Sequence, residues 1–128
     1  MTPLVLVVDN EKGLLILFSS LVQRMGYEVL QAESGMAALA ILEQQTPDLM
    51  ILDINMPEVT GLDLLEFMRR RADIKDLPVV MLSTEASDVM IDRATELGAD
   101  AYVSKPVTIE ELERAMQEAF EKRKSEKR

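Results

Sequence analysis

The sequence LMILDINMPEVTG, at residues 49–61, carries an apolar run directly into an aspartate and then breaks it. Residues 49–52 are all apolar and lead to Asp53, after which Asn55, Pro57 and Gly61 favour a turn. Such a run is typical of a buried strand, and its carboxylate lies where open α/β sheets bind ligands. Taken alone, an aspartate after a strand is most simply a turn or capping residue, so the rest of the chain must decide its role.

The composition restricts the class of protein. The chain has 128 residues, enough for one domain, and it contains neither cysteine nor histidine. Disulfides, thiolate chemistry, Ser–His–Asp triads and histidine metal sites are therefore excluded. A net charge of −9 makes nucleic acid a poor direct partner. No apolar stretch approaches the ~20 residues of a membrane span, so we expect a soluble, cytoplasmic protein without membrane insertion.

Short apolar runs alternate with segments of helical period along the chain. The runs predict strands at residues 4–8, 27–31, 48–53, 77–82 and 101–104. The periodic segments predict helices at about residues 14–25, 36–43, 61–71 and 86–97, and a last helix from residue 108. Gly26 and Gly98 are expected helix stops. This alternation predicts right-handed βαβ crossovers and a doubly wound α/β fold with a five-stranded parallel sheet.

Two helix starts carry capping signals. Thr60 and Asp63 have the spacing of a capping box, and so do Thr108 and Glu111. Residues 1–121 are expected to form the domain, with residues 122–128 as a charged tail or the start of a linker. Because residues 121–128 are all polar, we expect this end of the chain to fray into solvent.

Polar side chains follow or end four of the predicted strands. They are Asp9 and Asn10 after the first strand, Asp53 at the end of the third, Ser83 and Thr84 at the end of the fourth, and Lys105 at the end of the fifth. The carboxyl ends of parallel strands open on one edge of a sheet, so these groups are expected to converge. Oxygen ligands without histidine or cysteine suit Mg²⁺. Asp53 would then be a nucleophile toward a phosphoryl group, with Lys105 pairing the remaining charge.

The motifs VVDN, LDINMPEVTG, MLST and YVSKP, in this order and spacing, resemble the receiver domain of bacterial two-component response regulators. The resemblance covers residues 4–120, nearly the whole chain. It implies a flavodoxin-like (βα)5 fold with strand order 2-1-3-4-5. It also implies a signalling module rather than an enzyme with its own substrate, one that catalyses only its own phosphotransfer and slow autodephosphorylation.

The resemblance assigns the acceptor and the metal ligands. It implies that Asp53 is the phosphoacceptor. Mg²⁺ would be held by Asp9, Asn10, Asp53 and the main-chain carbonyl of Asn55. Asn55 and Glu85 fall at positions that tune self-dephosphorylation in the family, so the lifetime of the phosphorylated state is expected to depend on them.

The resemblance also assigns the moving parts of a switch. Ser83 matches a hydroxyl that turns toward the phosphoryl group, and Lys105 matches the family's lysine. Pro106 matches a proline whose peptide bond is usually cis. Tyr102 matches the position of the aromatic residue that reorients when the hydroxyl moves. A histidine kinase or histidine phosphotransfer protein would donate the phosphoryl group. The face of helix four, strand five and helix five would bind a downstream target or a second copy of the chain.

One position departs from the family pattern. The second member of the acidic pair is Asn10, whose amide oxygen can coordinate Mg²⁺ but brings no charge, so weaker metal affinity is expected. Glu11, next to it, could compensate in part through water. The alternative is therefore a pseudo-receiver, a constitutive interaction module with a weakened metal site. An aspartyl-nucleophile phosphatase is disfavoured because Asn55 stands where such enzymes carry a second Asp. A flavodoxin-like electron carrier is disfavoured because the strand ends are acidic and the chain has few aromatic residues.

Overall fold

The computed structural model describes residues 2–85 and 87–126 and contains one five-stranded sheet with helices on both faces. The strands are β1 (Leu4–Val8), β2 (Glu28–Ala32), β3 (Leu49–Asp53), β4 (Val79–Ser83) and β5 (Ala101–Ser104). The helices are α1 (Lys12–Arg24), α2 (Gly35–Gln44), α3 (Gly61–Arg69), α4 (Asp88–Glu96) and α5 (Ile109–Glu126). All strand pairs are parallel, in the order β2-β1-β3-β4-β5. The predicted fold class and strand order are confirmed.

Alternate side chains of the central strands form two apolar layers. In β1, Leu6 and Val8 face the layer that α2, α3 and α4 complete, while Val5 and Val7 face the layer that α1 and α5 complete. Every residue of β3 and β4 is buried. This explains why these strands read as continuous apolar runs rather than as alternating patterns. Burial on both faces fixes these strands in the sheet, and so it also fixes the positions of the residues at their ends.

Most element boundaries lie within two residues of the predicted positions. Gly26 and Gly98 have φ values of 100° and 107° and directly follow the C-cap residues of α1 and α4, which confirms them as helix stops. Strand β4 begins at Val79 and includes Ser83, which was expected just after the strand. The predicted start of the fourth helix, residue 86, lies outside the described residues; the helix itself begins at Asp88.

The largest difference concerns the end of the chain. Both predicted capping boxes are present, at Thr60 and at Thr108. Helix α5, however, continues to Glu126, so the expected fraying is wrong for residues 121–126. The reason is Arg123, whose side chain is 13% exposed and forms an ion pair with buried Asp100. Residues 127 and 128 lie outside the described part. Within residues 2–85 and 87–126, no helix combines the length and apolarity that a bilayer span requires.

Candidate phosphorylation site

The carboxyl ends of four strands meet at one edge of the sheet. The register pairs Val8 with Leu52, so Asp9 and Asp53 extend side by side from β1 and β3. Lys105 follows β5 and donates its backbone N–H to the carbonyl of Ser83 at 2.8 Å. A cleft of about 420 Å³ opens at this edge, and its lining residues are Asp9, Asn10, Glu11, Leu14, Asp53, Asn55, Thr84 and Lys105.

A lysine bridges two buried carboxylates in this cleft. The Lys105 ammonium donates to Asp9 Oδ2 at 3.0 Å and to Asp53 Oδ1 at 3.1 Å. Asp9 is 1% exposed and Asp53 is 2% exposed. The backbone N–H of Glu11 also donates to Asp9 Oδ1, at 2.9 Å, and so fixes the orientation of that carboxylate. Two negative charges and one positive charge thus occupy a site that solvent reaches from one side.

Burial and charge shift the titration of this site. Burial, and next the charge of Asp9, raise the pKa of Asp53, although the hydrogen bonds from Lys105 and the backbone N–H of Asn55 oppose this change. Burial acts to lower the pKa of Lys105, but its hydrogen bonds to the two carboxylates outweigh burial, and the pKa is raised. The raised pKa keeps Lys105 cationic, whereas Lys105 offsets only in part the effect of burial and of Asp9 on the pKa of Asp53.

The loop between β3 and α3 holds Asp53 in place. Ile54 donates its N–H to the carbonyl of Leu82 at 3.0 Å, which ties the loop to β4. Gly61 donates to the carbonyl of Ile54 at 3.0 Å and so closes the loop. A Cβ atom at Gly61 would overlap the Asp53 carbonyl oxygen and lie 2.8 Å from the Ile54 Cα. Glycine is required here because the backbone of α3 packs directly against the end of β3.

A hydrogen-bonded chain connects the cleft to β5. Asn55 Nδ2 donates to Ser83 Oγ at 3.3 Å and to Thr84 Oγ1 at 3.4 Å. Ser83 Oγ also accepts from the Glu85 N–H at 3.0 Å. On the other side, the Tyr102 hydroxyl donates to the Glu85 carbonyl at 2.6 Å. The residues that follow β4 are therefore held between the side chains of Asn55 and Tyr102.

The donor set at the cleft fits Mg²⁺. Mg²⁺ is commonly bound through one or two carboxylates while keeping several waters, and Asp9 and Asp53 supply two. The Asn10 amide lines the same cleft, and the Asn55 main-chain carbonyl belongs to a lining residue. In the part of the chain that the structure describes, no group of three Asp, Glu, His or Cys side chains could hold a metal ion. The cleft lining has the carboxylates of Asp9, Glu11 and Asp53, and an acidic residue in place of Asn10 would have added a fourth.

The structure brings together most of the residues that the sequence indicated. Seven of them line the cleft, namely Asp9, Asn10, Glu11, Asp53, Asn55, Thr84 and Lys105. Ser83 is buried at its side and reaches the cleft through Asn55, while Glu85 and Tyr102 lie farther out and connect to Ser83 through hydrogen bonds. The Lys105–Pro106 peptide bond is cis, as the resemblance implied. Leu14 also lines the cleft, from the first turn of α1. In the sequence it marks only the predicted start of the first helix, although its closeness to Asn10 could have indicated this position.

Comparison with known proteins gives the family. Residues 5–117 match the family described as the response regulator receiver domain. The chain belongs to this family. Such receiver domains are generally signalling modules of two-component systems rather than classical enzymes, they interact with histidine kinases and downstream targets, and they typically bind Mg²⁺ at an acidic pocket.

Individual relatives cover nearly the whole receiver domain. The polar-differentiation response regulator DivK of Brucella ovis is 31% identical over 109 residues, which are 85% of this chain and 89% of DivK. The structure of the Vibrio cholerae chemotaxis protein CheY4 superposes with a TM-score of 0.88 and 32% identity, covering 93% of this chain and 99% of that chain. A response regulator structure from Chloroflexus aurantiacus gives a TM-score of 0.90 and 27% identity, covering 94% and 99%.

Proposed function

We propose that this receiver domain is a phosphorylation-dependent switch that accepts a phosphoryl group on Asp53. The observation that carries the proposal is the arrangement of Asp53, Asp9 and Lys105 in one open cleft. The carboxylates of Asp53 and Asp9 both accept a hydrogen bond from the Lys105 ammonium. A turn residue or helix cap would not explain two buried carboxylates that share one lysine.

Asp53 acts as the nucleophile. A carboxylate oxygen attacks the phosphorus atom of a phosphohistidine on a histidine kinase or a histidine phosphotransfer protein, since this chain has no histidine of its own. The O–P bond forms while the P–N bond breaks, and its electron pair returns to the imidazole nitrogen. Asp9, Asn10, Asp53 and the Asn55 carbonyl would hold Mg²⁺, which neutralises charge on the phosphoryl oxygens. Lys105, which already donates a hydrogen bond to Asp53, pairs with the remaining negative charge of the phosphoryl group.

The phosphoryl group changes the surface through Ser83. Its hydroxyl turns toward a phosphoryl oxygen and carries the residues after β4 with it. Tyr102, bonded to the Glu85 carbonyl, then reorients on β5. The face formed by α4, β5 and α5 changes shape and binds a downstream protein or a second copy of the chain. Slow hydrolysis of the phosphoaspartate, tuned by Asn55 and Glu85, resets the switch.

Phosphorylation by a small donor tests this function. We expect the protein to gain one phosphoryl group in mass from acetyl phosphate with Mg²⁺, and Asp53→Asn to gain none. Asp73→Asn, an exposed aspartate outside the cleft, is the matched control and should be phosphorylated like the wild type. The proposal is wrong if the wild type gains no mass and if beryllofluoride with Mg²⁺ also causes no conformational change.

Asn10 supports one alternative, a constitutive pseudo-receiver. In this case Mg²⁺ would not bind at millimolar concentration, and Asp53→Ala would leave partner binding unchanged. The variant Asn10→Asp separates the two functions. A marked gain in Mg²⁺ affinity, measured by calorimetry, together with faster phosphorylation would show a functional site that is merely weakened by the missing charge.

A further inference from the structure

We propose that the side-chain amide of Asn55 is a positioning residue that holds the Ser83 hydroxyl in its resting place and so limits switching before phosphorylation. The proposal rests on the switch function and adds a restraint acting in the unphosphorylated protein. It concerns the Nδ2 group of Asn55, which is distinct from the main-chain carbonyl assigned to metal binding. The following contacts support it.

The first contact is at Ser83 Oγ. A hydroxyl oxygen can accept two hydrogen bonds, and here Asn55 Nδ2 and the Glu85 N–H occupy both positions, at 3.3 Å and 3.0 Å. Ser83 is fully buried, so water cannot easily replace either donor. A turn of this hydroxyl toward a phosphoryl oxygen on Asp53 would exchange the bond from Asn55 for a bond to that oxygen.

The second contact extends the restraint to the next residue. The same Nδ2 group also donates to Thr84 Oγ1 at 3.4 Å. Asn55 thus contacts the last residue of β4 and the first residue after it. Tyr102 holds the following residue from the opposite side through the Glu85 carbonyl, at 2.6 Å. Release of Asn55 would leave the bond from Tyr102 to the Glu85 carbonyl in place.

The lengths of these bonds suit a reversible restraint. Both bonds from Asn55 are longer than the usual 2.9–3.0 Å of an N–H···O bond, whereas the bond from Tyr102 is short. The Asn55 contacts are therefore the ones that give way first when Ser83 moves. Each of the two bonds from Asn55 is long, but together they are expected to shift a two-state equilibrium by about fivefold, which is the effect of one ordinary hydrogen bond.

Fluorine NMR of fluorotyrosine-labelled protein measures this equilibrium directly. The chain has two tyrosines, so the spectrum contains one signal from Tyr102 and one from Tyr27. Tyr27 stacks on Phe120 with ring centroids 6.2 Å apart, and it serves as an internal reference for intact folding. Tyr102→Phe assigns the signals. Wild type with Mg²⁺ and beryllofluoride defines the active position of the Tyr102 signal.

We expect Asn55→Ala, without metal or phosphodonor, to shift the Tyr102 signal toward the active position, with about a fivefold change in the population ratio. Asn55→Gln, which keeps an amide donor, should shift it less. Thr84→Val, which removes one acceptor and leaves the bond to Ser83, should also shift it less than Asn55→Ala. The Tyr27 signal should stay in place in all three variants, whereas a general loss of structure would move both signals.

Two negative outcomes are distinguishable. If the Tyr102 signal of Asn55→Ala and Asn55→Gln coincides with the wild type, while beryllofluoride still moves the wild-type signal, the role of Asn55 is wrong and the switch function stands. If beryllofluoride with Mg²⁺ leaves the wild-type signal unmoved and acetyl phosphate adds no mass, the switch function itself is wrong. A shift in Thr84→Val as large as that in Asn55→Ala would overturn the assignment to Ser83.

Discussion

Asp53 is buried beside a second carboxylate, Asp9, and this environment destabilises its charged form although Lys105 donates a hydrogen bond to it. Burial and the neighbouring Asp9 raise its pKa in the folded protein, whereas the unfolded chain has neither influence. The folded state therefore binds the proton of Asp53 more tightly than the unfolded state does. As the pH rises through the folded pKa, this group makes an increasingly unfavourable contribution to the free energy of folding.

We therefore expect Asp53→Asn to be more stable than the wild type at pH 7, by about 1 kcal/mol in Mg²⁺-free buffer. Below the unfolded pKa of 3.8, both states of the wild type are protonated at this position and the advantage should vanish. Between pH 3.8 and the folded pKa of Asp53, the stability advantage of Asp53→Asn should grow with pH, and above the folded pKa it should be constant. Thermal unfolding of both proteins from pH 3.5 to 8 measures this difference, and an advantage that grows toward acid pH would contradict it.

Ser19 is a second polar group whose burial is costly. It lies on the buried face of α1 at 2% exposure, and its Oγ has no hydrogen-bond partner among the described residues. A buried hydroxyl without a partner costs about 1–3 kcal/mol. Ser19→Ala should therefore stabilise the protein by about 1 kcal/mol, measured by urea unfolding. Ser20→Ala, at the neighbouring and more exposed position, should change stability by less than about 0.5 kcal/mol.

Residues at strand ends could be predicted from the sequence, because each follows a recognisable apolar run. Asp9, Asp53 and Lys105 were found in this way, and the structure places them in one ion-paired cluster. The contact of Asn55 with Ser83 could not be predicted. It depends on how the turn after β3 directs one side chain, and spacing along the chain carries no information on that direction.

At the scale of elements, the connection from β3 to α3 shows how local structure determines the site. Thr60 caps α3 and Asp63 completes the box, with both bonds at 3.2 Å. The capping box was visible in the sequence as a spacing. The close packing of Gly61 against Asp53 was not, because a glycine in a turn most often indicates a backbone conformation rather than a contact.

Gly61→Ala tests this packing. The added methyl group would overlap the Asp53 carbonyl, so α3 or the end of β3 must move. We expect a loss of stability of about 1–3 kcal/mol, together with slower phosphorylation by acetyl phosphate. Gly13→Ala is the matched control, because a Cβ built there has no atom within 4 Å apart from its chain neighbours and the backbone of its own helix. Equal stability and phosphorylation of Gly61→Ala and the wild type would show that the loop accommodates the methyl group.

At the scale of the whole molecule, the two ends of the strands carry different groups of charged residues. The cleft that Asp9, Asp53 and Lys105 line lies at the carboxyl edge. At the other edge, Arg69, Gly98, Asp100 and Arg123 form a group that we name the Asp100 cluster. The Asp100 carboxylate accepts from Arg123 Nε at 2.7 Å, from Arg69 Nη2 at 3.1 Å and from the Val79 N–H at 2.8 Å. The Gly98 carbonyl accepts from both arginines.

The fold could be predicted at this scale, but the Asp100 cluster could not. Alternating runs and periodic segments determine the sheet and its covering helices, since each run must be buried on both faces. The cluster joins α3, β4, β5 and α5, and its charged residues are 31 and 23 positions apart in sequence. A charged residue in a polar segment is usually solvated, so the sequence predicts fraying of the tail. It does not predict that Arg123 pairs with Asp100 at the start of β5.

Asp100→Ala is expected to destabilise the whole domain by about 3 kcal/mol or more. Loss of the carboxylate leaves two guanidinium groups, each 13% exposed, without their buried counter-charge, and it removes the acceptor of the Val79 N–H. Asp76→Ala is the matched control: Asp76 is 46% exposed and lies 4.0 Å from Arg123, so its loss should cost less than about 1 kcal/mol. Urea unfolding, monitored by circular dichroism, gives both values. Similar costs for the two variants would mean that the Asp100 cluster contributes no more than a surface ion pair.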